Sequence, residues 1–227
     1  MPCGHSGVDS ALEGGFRSGG IHEFFTASAM DAPAAVGIAL ALAARARADS
    51  GAEAIWIGRR GATRLCPRGI VELAGTMPIG LKVSAADAME LLIAAHRAAS
   101  GPGLVVVEAN GRFPAYDLTA SRRLHLAAEK SGSMLLLLRI AAEPVPSAAF
   151  SRWRVGSAPS AALDANAPGP PTFDLTLLRQ RGGPSGLSWR VEWDRDAGCF
   201  RDAALPGAVV PASSGRAAPA AGLRLAG

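Results

Sequence analysis

The most constraining feature of the sequence is a run of four apolar residues, Leu104 to Val107, that lies between two turns rich in glycine. A strand that is apolar on both faces is typical of the middle of a parallel sheet, because helices cover such a sheet on both sides. Residues 134–138, Met-Leu-Leu-Leu-Leu, form a second run of this kind. Two such strands predict an α/β fold.

Strands and helices alternate along the chain up to about residue 140, which indicates a mostly parallel sheet with helices on both faces. We predict a helix that begins at a capping box formed by Ser84 and Asp87. The predicted strands are 21–25, 54–57, 81–84, 104–107 and 134–138, and the predicted helices are 33–47, 67–74, 84–99 and 118–130.

The pattern changes after residue 144. Residues 147–155 predict a short helix or strand, while 173–178 and 187–193 alternate between apolar and polar side chains, as strands with one buried face do. The glycine-rich segment 182–186 lies between these two strands and predicts a tight turn. The sheet therefore should end in an antiparallel hairpin, with Trp189, Val191 and Trp193 on its buried face.

The composition is that of one folded domain with two flanking segments. A chain of 227 residues with 49% hydrophobic residues can bury one substantial core. We expect one folded domain over 21–200, preceded by a Gly-rich N-terminal segment, 1–20, that makes turns rather than core. Residues 205–227 are rich in Ala and Pro, which predicts a flexible, disordered tail.

The charge and the cysteines indicate a cytoplasmic protein. The net charge of +4 and the pI of about 9.5 permit an acidic partner without requiring one. Cys3, Cys66 and Cys199 are odd in number and far apart, which argues against a disulfide framework. No second pair of metal ligands accompanies Cys3, so no metal site is expected. We expect neither a leader sequence nor a membrane span, because residues 1–20 lack a basic segment followed by an apolar one and the longest continuous apolar run elsewhere is too short.

The loop after the first predicted strand has the position of a phosphate-binding loop but not its residues. Such loops read Gly-x-x-x-x-Gly-Lys-Ser/Thr, whereas residues 26–33 contain neither glycine nor lysine and include Thr26, Ser28 and Asp31. The chain has only two lysines: Lys82 lies in a predicted strand, and Lys130 lacks the preceding glycines. We therefore expect a degenerate loop and no nucleotide cofactor.

Glu108 ends the central apolar run, at the edge of the sheet where α/β proteins bind ligands. Two interpretations stay open: the carboxylate belongs to a functional site, or it marks where the strand meets solvent. The triplet Arg152-Trp153-Arg154 also has two interpretations. Arginines around a tryptophan can bind a base or a phosphate, or they can be a solvated face whose tryptophan packs inward.

Three blocks of the chain resemble the ImuA family of RecA-like accessory proteins, which are encoded beside ImuB and an error-prone polymerase subunit. Residues 6–23 are similar to the start of RecA-superfamily domains. Residues 150–160, which include Phe150-Ser-Arg-Trp-Arg-Val155, resemble a family block. Residues 173–183 together with Trp189-Arg-Val-Glu-Trp-Asp194 resemble the closing hairpin.

The resemblance implies a RecA-like fold and a non-catalytic role in SOS mutagenesis and translesion DNA synthesis. It implies binding to ImuB and contact with the error-prone polymerase subunit through ImuB, with RecA as a further candidate partner. Compared with an active RecA-type ATPase, the chain has Arg59 and Arg60 where a water-positioning glutamate is usual, and Glu108 where magnesium-binding aspartate is usual. Hydrolysis is therefore not expected.

Arg179 and Arg181 match the hairpin position from which active RecA-like subunits reach a neighbour's nucleotide. They are candidates for partner binding together with Arg152, Trp153 and Arg154. The alternative for Arg179 and Arg181 is a solvent-exposed turn. Two other functions stay open: a cell-division inhibitor resembling SulA, and a DNA-binding RecA-like protein with residual nucleotide binding. The arginines that would contact DNA are Arg122, Arg123, Arg152, Arg154, Arg179 and Arg181.

Overall fold

A computed structural model of the protein describes residues 1–163 and 167–204. The strands are β1 (Gly20–Phe25), β2 (Ala54–Arg59), β3 (Ile79–Ala85), β4 (Leu104–Asn110), β5 (Met134–Ile140), β6 (Ser151–Ser157), β7 (Thr172–Gln180), β8 (Leu187–Asp194) and β9 (Cys199–Asp202). The helices are α1 (Ser6–Ala11), α2 (Ala32–Ser50), α3 (Pro67–Ala74), α4 (Ala88–Ala99) and α5 (Leu118–Ser131), with a 3-10 turn at Ala29–Asp31. The predicted tail, 205–227, lies outside the described residues.

The strands form one sheet in the order β3-β2-β4-β5-β1-β6-β7-β8-β9. The pairs from β3 to β6 are parallel, and the pairs from β6 to β9 are antiparallel. The predicted mostly parallel sheet with a C-terminal antiparallel hairpin is thus confirmed. Residues 147–155, for which a helix or a strand was predicted, contribute to β6.

Each face of the parallel strands packs against a separate group of helices, which explains the two fully apolar runs. Val106 and Leu136 point into the core that contains α1, α2 and α3, whereas Val105 and Leu135 point into the core that contains α4 and α5. A fully buried side chain of this size stabilises the fold by roughly 1.5–3 kcal/mol. The central strands therefore hold both layers together.

Helix α2 is apolar all round over most of its length, because the protein encloses that part of it. Every residue from Ala34 to Ala44 is buried, as expected for a helix with no polar face. An 18-residue part of Ala29–Ser50 has a mean hydropathy of 1.4, which is apolar enough to cross a membrane, and 61% of it is buried inside the protein. The continuous apolar run ends at Arg45, and its burial makes α2 a core helix of the fold.

The N-terminal segment contributes to the core, so the expectation that residues 1–20 only make turns is wrong. Val8, Leu12 and Phe16 are each at most 3% exposed and pack with α2. The ring of His5 accepts a hydrogen bond from the Val8 backbone N–H at 3.2 Å and caps α1. The helix in this glycine-rich segment was missed because its six residues are too few for a clear periodic pattern.

The start of α4 also differs from the prediction. Ser84 lies within β3, and Asp87 is the N-cap residue: its carboxylate accepts hydrogen bonds from the backbone N–H groups of Met89 and Glu90 at 2.9 and 2.8 Å. A carboxylate that accepts hydrogen bonds from two otherwise unpaired backbone N–H groups stabilises the start of a helix.

The C-terminal hairpin buries two of its three predicted apolar residues completely. Val191 and Trp193 are at most 1% exposed, whereas Trp189 is half-buried and lies against Trp153 with ring centroids 6.0 Å apart. Strand β9 was not predicted from the sequence. It has four residues and a single buried side chain, Phe200, which is too little for an alternating pattern.

A buried histidine links β1 to β6. Nε2 of His22 donates to the carbonyl oxygen of Arg17 at 3.0 Å, and Nδ1 accepts from the Ser151 hydroxyl at 2.6 Å. The same hydroxyl accepts a hydrogen bond from Nε1 of Trp153 at 2.8 Å. Burial lowers the pKa of His22 from 6.5 to about 4, so the ring is neutral in the folded protein at neutral pH.

Acidification should therefore destabilise the fold through His22. Between pH 6.5 and 4 the unfolded chain takes up a proton that the folded chain does not, which lowers the free energy of unfolding by about 3 kcal/mol. Above pH 6.5 the ring is neutral in both states and contributes no pH dependence. Urea unfolding at several pH values should show a shallower acid decline for His22→Gln than for the wild type. Equal slopes would contradict this account.

Candidate functional site

The loop between β1 and α2 lies at the carboxyl edge of the parallel strands, where α/β folds bind ligands. Thr26 is buried and ties this loop to β5. Its backbone N–H donates to the Arg139 carbonyl at 3.1 Å, and its hydroxyl accepts from the Ala141 N–H at 2.9 Å. The hydroxyl also donates to the Ser28 carbonyl at 2.8 Å. The predicted loop residue Thr26 is thus a structural anchor.

Asp31 lies at the start of α2, where a phosphate would meet the helix amides. Its carboxylate accepts hydrogen bonds from the Ser28 hydroxyl at 3.0 Å and from the Ser157 backbone N–H at 3.4 Å. A carboxylate at a helix N-terminus is favoured by the helix dipole, and that of Asp31 makes no hydrogen bond to the helix amides themselves. The loop thus presents negative charge at this position.

Glu108 lies within β4, which continues to Asn110, and only 1% of the residue is exposed. The interpretation that it marks the boundary with solvent is therefore wrong. Oε1 accepts hydrogen bonds from the backbone N–H and the hydroxyl of Thr63 at 2.9 and 2.7 Å, while Oε2 has no partner among the described residues. Glu108 therefore fixes the loop after β2, and the neighbouring Arg59 and Arg60 are exposed.

A buried ionic network lies on the face of the sheet covered by α4 and α5. Glu23 in β1 is fully buried, and its Oε1 accepts a hydrogen bond from the Tyr116 hydroxyl at 2.8 Å. Its Oε2 lies 3.1 Å from Nε of Arg152, a charge contact without the geometry of a hydrogen bond. Arg152 also donates to the Ser147 hydroxyl at 2.8 Å. Burial and then Glu23 raise the pKa of Tyr116 well above its usual value.

Arg139, near the end of β5, is a second buried arginine in this region. It is 2% exposed, and its guanidinium carbon lies 5.5, 5.9 and 5.5 Å from the ring centroids of Phe25, Phe113 and Tyr116. Its Nε and Nη1 are buried without a hydrogen-bond partner in the described part of the chain. Burial lowers the pKa of Arg139, and the charge of Glu23 acts against that effect.

The predicted triplet lies mostly inside the protein. Trp153 is fully buried and Arg152 is 9% exposed, so these two side chains offer almost no surface to a partner. Arg154 is exposed and lies 3.6 Å from the carboxylate of Glu143. This arrangement agrees with the interpretation in which the tryptophan packs inward. The prediction of partner binding at this triplet therefore rests on Arg154.

Arg179 and Arg181 lie at the end of β7 and line a groove of about 420 Å³ beside α5. Arg122 and His125 line the same groove. Arg181 donates to the Ala148 carbonyl at 2.7 Å, and its Nη1 lies 3.2 Å from Nε2 of His125. Burial, followed by the charge of Arg181, lowers the pKa of His125. We call Arg122, His125, Arg179 and Arg181 the basic groove.

The six arginines predicted to contact DNA do not form one surface. Arg122, Arg179 and Arg181 meet at the basic groove. Arg123 lies in a different groove between α4 and α5, together with apolar residues such as Met89. Arg152 lies in the interior, and Arg154 lines neither of these grooves. A contiguous cationic surface is therefore limited to half of the predicted set.

The three cysteines are free and differ in their surroundings: Cys3 is buried, Cys66 is exposed and Cys199 is intermediate. Burial raises the pKa of the Cys3 thiol to about 12. Within residues 1–163 and 167–204, no group of three His, Cys, Asp or Glu side chains is arranged to hold a metal ion.

Comparison with known proteins gives the family. The chain is 35% identical over 213 residues to Protein ImuA from two strains of Caulobacter vibrioides, NA1000 / CB15N and ATCC 19089 / CIP 103742 / CB 15. The alignment covers 87% of this chain and 79% of each relative. The chain belongs to the ImuA family. Membership in the ImuA family implies an accessory role in damage-induced mutagenesis and translesion synthesis, as the resemblance did. No protein-family model matches the chain.

The fold has a counterpart among solved structures. The crystal structure of the RadB recombinase superposes with a TM-score of 0.60 and covers 90% of this ImuA-family chain and 100% of that chain. The sequence identity is 15%, so the similarity concerns the fold alone. The RecA-like architecture predicted from the sequence is confirmed.

Several residues that shape this ImuA-family structure were missed in the sequence. Glu23 and Arg139 are charges within or directly after apolar strands, a pattern that indicates a buried ionic group. Tyr116 and Thr63 lie in loops whose course is set by tertiary contacts, so nothing in their local sequence reveals their partners.

Proposed function

We propose that this ImuA-family protein acts through contacts with other proteins and performs no nucleotide hydrolysis. In this proposal it is a cytoplasmic adaptor that binds an ImuB-like protein and, through it, an error-prone polymerase subunit, with RecA as a second partner. The observation that carries the proposal is the carboxylate of Asp31 at the start of α2, in a loop without lysine.

Electrostatics supports the absence of triphosphate binding at this loop. A negative oxygen placed about 4 Å from the Asp31 carboxylate would be repelled by roughly 4 kcal/mol near a protein surface. An active phosphate loop instead supplies a lysine and backbone N–H groups that attract the same oxygen. Residues 26–33 contain no cationic side chain that could offset this repulsion.

The engagement of Glu108 supports the same proposal. A carboxylate that binds magnesium must be free to coordinate the ion or its water ligands. Oε1 of Glu108 is occupied by two hydrogen bonds from Thr63, which belongs to the loop after β2, and only Oε2 has no partner among the described residues. The two bonds hold the carboxylate in one orientation and give Glu108 a structural role in positioning that loop.

The hairpin arginines are the surface that we propose for partner binding. Arg179 is exposed and makes no hydrogen bond or ion pair within the described residues, so its guanidinium is available to a partner. An arginine fork binds a carboxylate or phosphate bidentately. Arg181 is partly held by the Ala148 carbonyl, and it supports the groove beside Arg179.

The change Arg179→Glu tests this surface. We expect it to reduce recovery of the ImuB-like partner in a pull-down from damaged cells by at least about tenfold, because an attractive charge becomes a repulsive one. Arg68→Glu is the matched control, since Arg68 is also exposed but lies on α3, on the other face of the sheet. Undiminished recovery with Arg179→Glu, or equal loss with both variants, would contradict the assignment.

The basic groove favours DNA binding as a second candidate function. Three arginines that contact phosphates of a single strand would make affinity fall by about 20-fold between about 50 and 200 mM salt. Fluorescence anisotropy with a labelled oligonucleotide measures this slope, and Arg122→Gln should make it shallower. An affinity for DNA that does not change with salt concentration would contradict DNA binding through the basic groove. It would leave the adaptor proposal intact.

A further inference from the structure

We propose that Arg139 and the cavity beside it form a binding site for an anionic group, a carboxylate or a phosphate, carried on an apolar or aromatic body. The cavity lies at the carboxyl edge of β4 and β5 and has a volume of about 660 Å³. It is separate from the loop at residues 26–33 and from Glu108, neither of which lines it.

The first argument is the charge balance of the buried network. Glu23 is the carboxylate of this network, and two guanidinium groups, those of Arg139 and Arg152, face it. Among the described residues, one positive charge of this cluster is therefore uncompensated, which is unfavourable unless an anion joins the cluster. Arg152 is the closer partner, at 3.1 Å from Glu23, so Arg139 carries the excess.

The second argument is the unsatisfied hydrogen-bonding capacity of Arg139. Its Nε and Nη1 find no acceptor among the described residues although the residue is 98% buried, and the side chain lines the cavity. Buried polar groups in native proteins are almost always paired, so an exception requires an explanation. A carboxylate or phosphate oxygen that enters the cavity would supply both an acceptor and the missing negative charge.

The acidic side chains on the cavity wall have other partners. Asp117 caps α5 and accepts a hydrogen bond from the Ala120 backbone N–H at 2.7 Å. Glu143 has an 80% exposed side chain and lies 3.6 Å from Arg154. Neither carboxylate is hydrogen-bonded to Arg139, so the position beside this guanidinium is open to an external anion.

The remaining wall indicates the body of the ligand. Phe113 and Tyr116 stack with ring centroids 5.9 Å apart and an interplanar angle of 7°, and Pro114, Val145 and Pro146 complete an apolar lining. Arg112 also lines the cavity and adds a second positive charge. Apolar walls with a few convergent polar groups are typical of sites for small ligands.

Backbone strain occurs in the same wall. Ala141 has a φ of +50°, which is uncommon for a residue with a side chain, and its N–H is held by the Thr26 hydroxyl. Residues in such conformations cluster at ligand sites, where the surrounding structure maintains them. The strained residue lines the cavity.

The single tyrosine of the chain makes the test direct, because Tyr116 lines the cavity and its ring signals need no assignment. The full-length protein is titrated separately with benzoate, phenyl phosphate and benzyl alcohol at constant ionic strength, and the Tyr116 ring signals are followed by NMR. We expect saturable shifts with at least one anion and binding of benzyl alcohol at least tenfold weaker. The preferred anion distinguishes a carboxylate ligand from a phosphate ligand.

The change Arg139→Met should weaken anion binding by about 10- to 100-fold and leave benzyl alcohol unaffected, whereas Arg68→Met should change neither. If Arg139→Met does not fold, the comparison of anions with benzyl alcohol in the wild type decides alone. Equal affinity for anions and alcohol, no saturable shift with either anion, or wild-type affinity in folded Arg139→Met would each overturn the proposal.

Discussion

Replacing Glu23 by glutamine should lower the free energy of unfolding by about 3–5 kcal/mol. The change is nearly isosteric, and the glutamine oxygen can still accept the hydrogen bond from Tyr116. What it removes is the buried negative charge that faces Arg139 and Arg152, and it leaves both guanidinium groups uncompensated. Equilibrium unfolding in urea measures the loss.

Glu143→Gln is the matched control for this prediction. Glu143 also lies near an arginine, at 3.6 Å from Arg154, but its side chain is 80% exposed. An exposed pair contributes about 0–1 kcal/mol, because water screens both charges. If Glu23→Gln were no more destabilising than Glu143→Gln, the buried network would not hold β1 and β6 together as the contacts indicate.

Truncation of Trp153 to alanine should cost about 3–5 kcal/mol of folding free energy. The side chain is fully buried and packs between the rings of Phe16 and Phe24, with centroids 5.7 and 6.5 Å away. Its removal would leave a cavity between the N-terminal segment and the sheet, which a close-packed core cannot close.

Trp189→Ala provides the comparison for this second prediction. Trp189 packs against Trp153 from the hairpin but is only half-buried, so less apolar surface is lost from the interior. Urea unfolding of the two variants should show a clearly smaller loss for Trp189→Ala. Equal losses would mean that Trp153 does not hold the position that its burial indicates.

The central sheet could be predicted from the sequence because its signal is local. The runs at 104–107 and 134–138 are apolar at consecutive positions, and both faces of these strands are buried. The hairpin likewise combines alternating strands with a glycine-rich turn, so its two strands and their antiparallel pairing were predictable. In each case a few neighbouring residues carry the whole pattern.

The elements that the sequence did not reveal are those that depend on distant residues. Helix α1 is six residues long and is held by burial of Val8 beneath the sheet. Strand β9 pairs with β8 through four residues, and Arg201 contacts Glu192 at 2.7 Å across that pair. Short segments of this kind are stabilised by tertiary contacts rather than by propensity.

The candidate site was predictable in part. The absence of lysine and the presence of Asp31 in residues 26–33 are visible in the sequence, and their position at the start of α2 follows from the predicted strand and helix. The hydrogen bonds between Glu108 and Thr63 were not predictable, because the two residues are 45 positions apart. The same holds for Glu23 and Arg152, which come together only when β1 pairs with β6.

The burial of Arg152 and Trp153 changes how an ImuA-family protein of this kind is expected to meet its partners. Arg152 and Trp153 are part of the protein interior, so a partner has access only to Arg154 of this triplet and to the basic groove. The groove and the cavity beside Arg139 share Leu118 and Pro146 in their linings, so they are neighbours on one side of the protein.

The most direct test of the adaptor proposal is equilibrium binding of ATP to the full-length protein in the presence of magnesium, measured by calorimetry. The proposal predicts no saturable binding, because Asp31 repels the phosphates and no lysine offsets that repulsion. Saturable, magnesium-dependent binding of ATP would contradict the proposal.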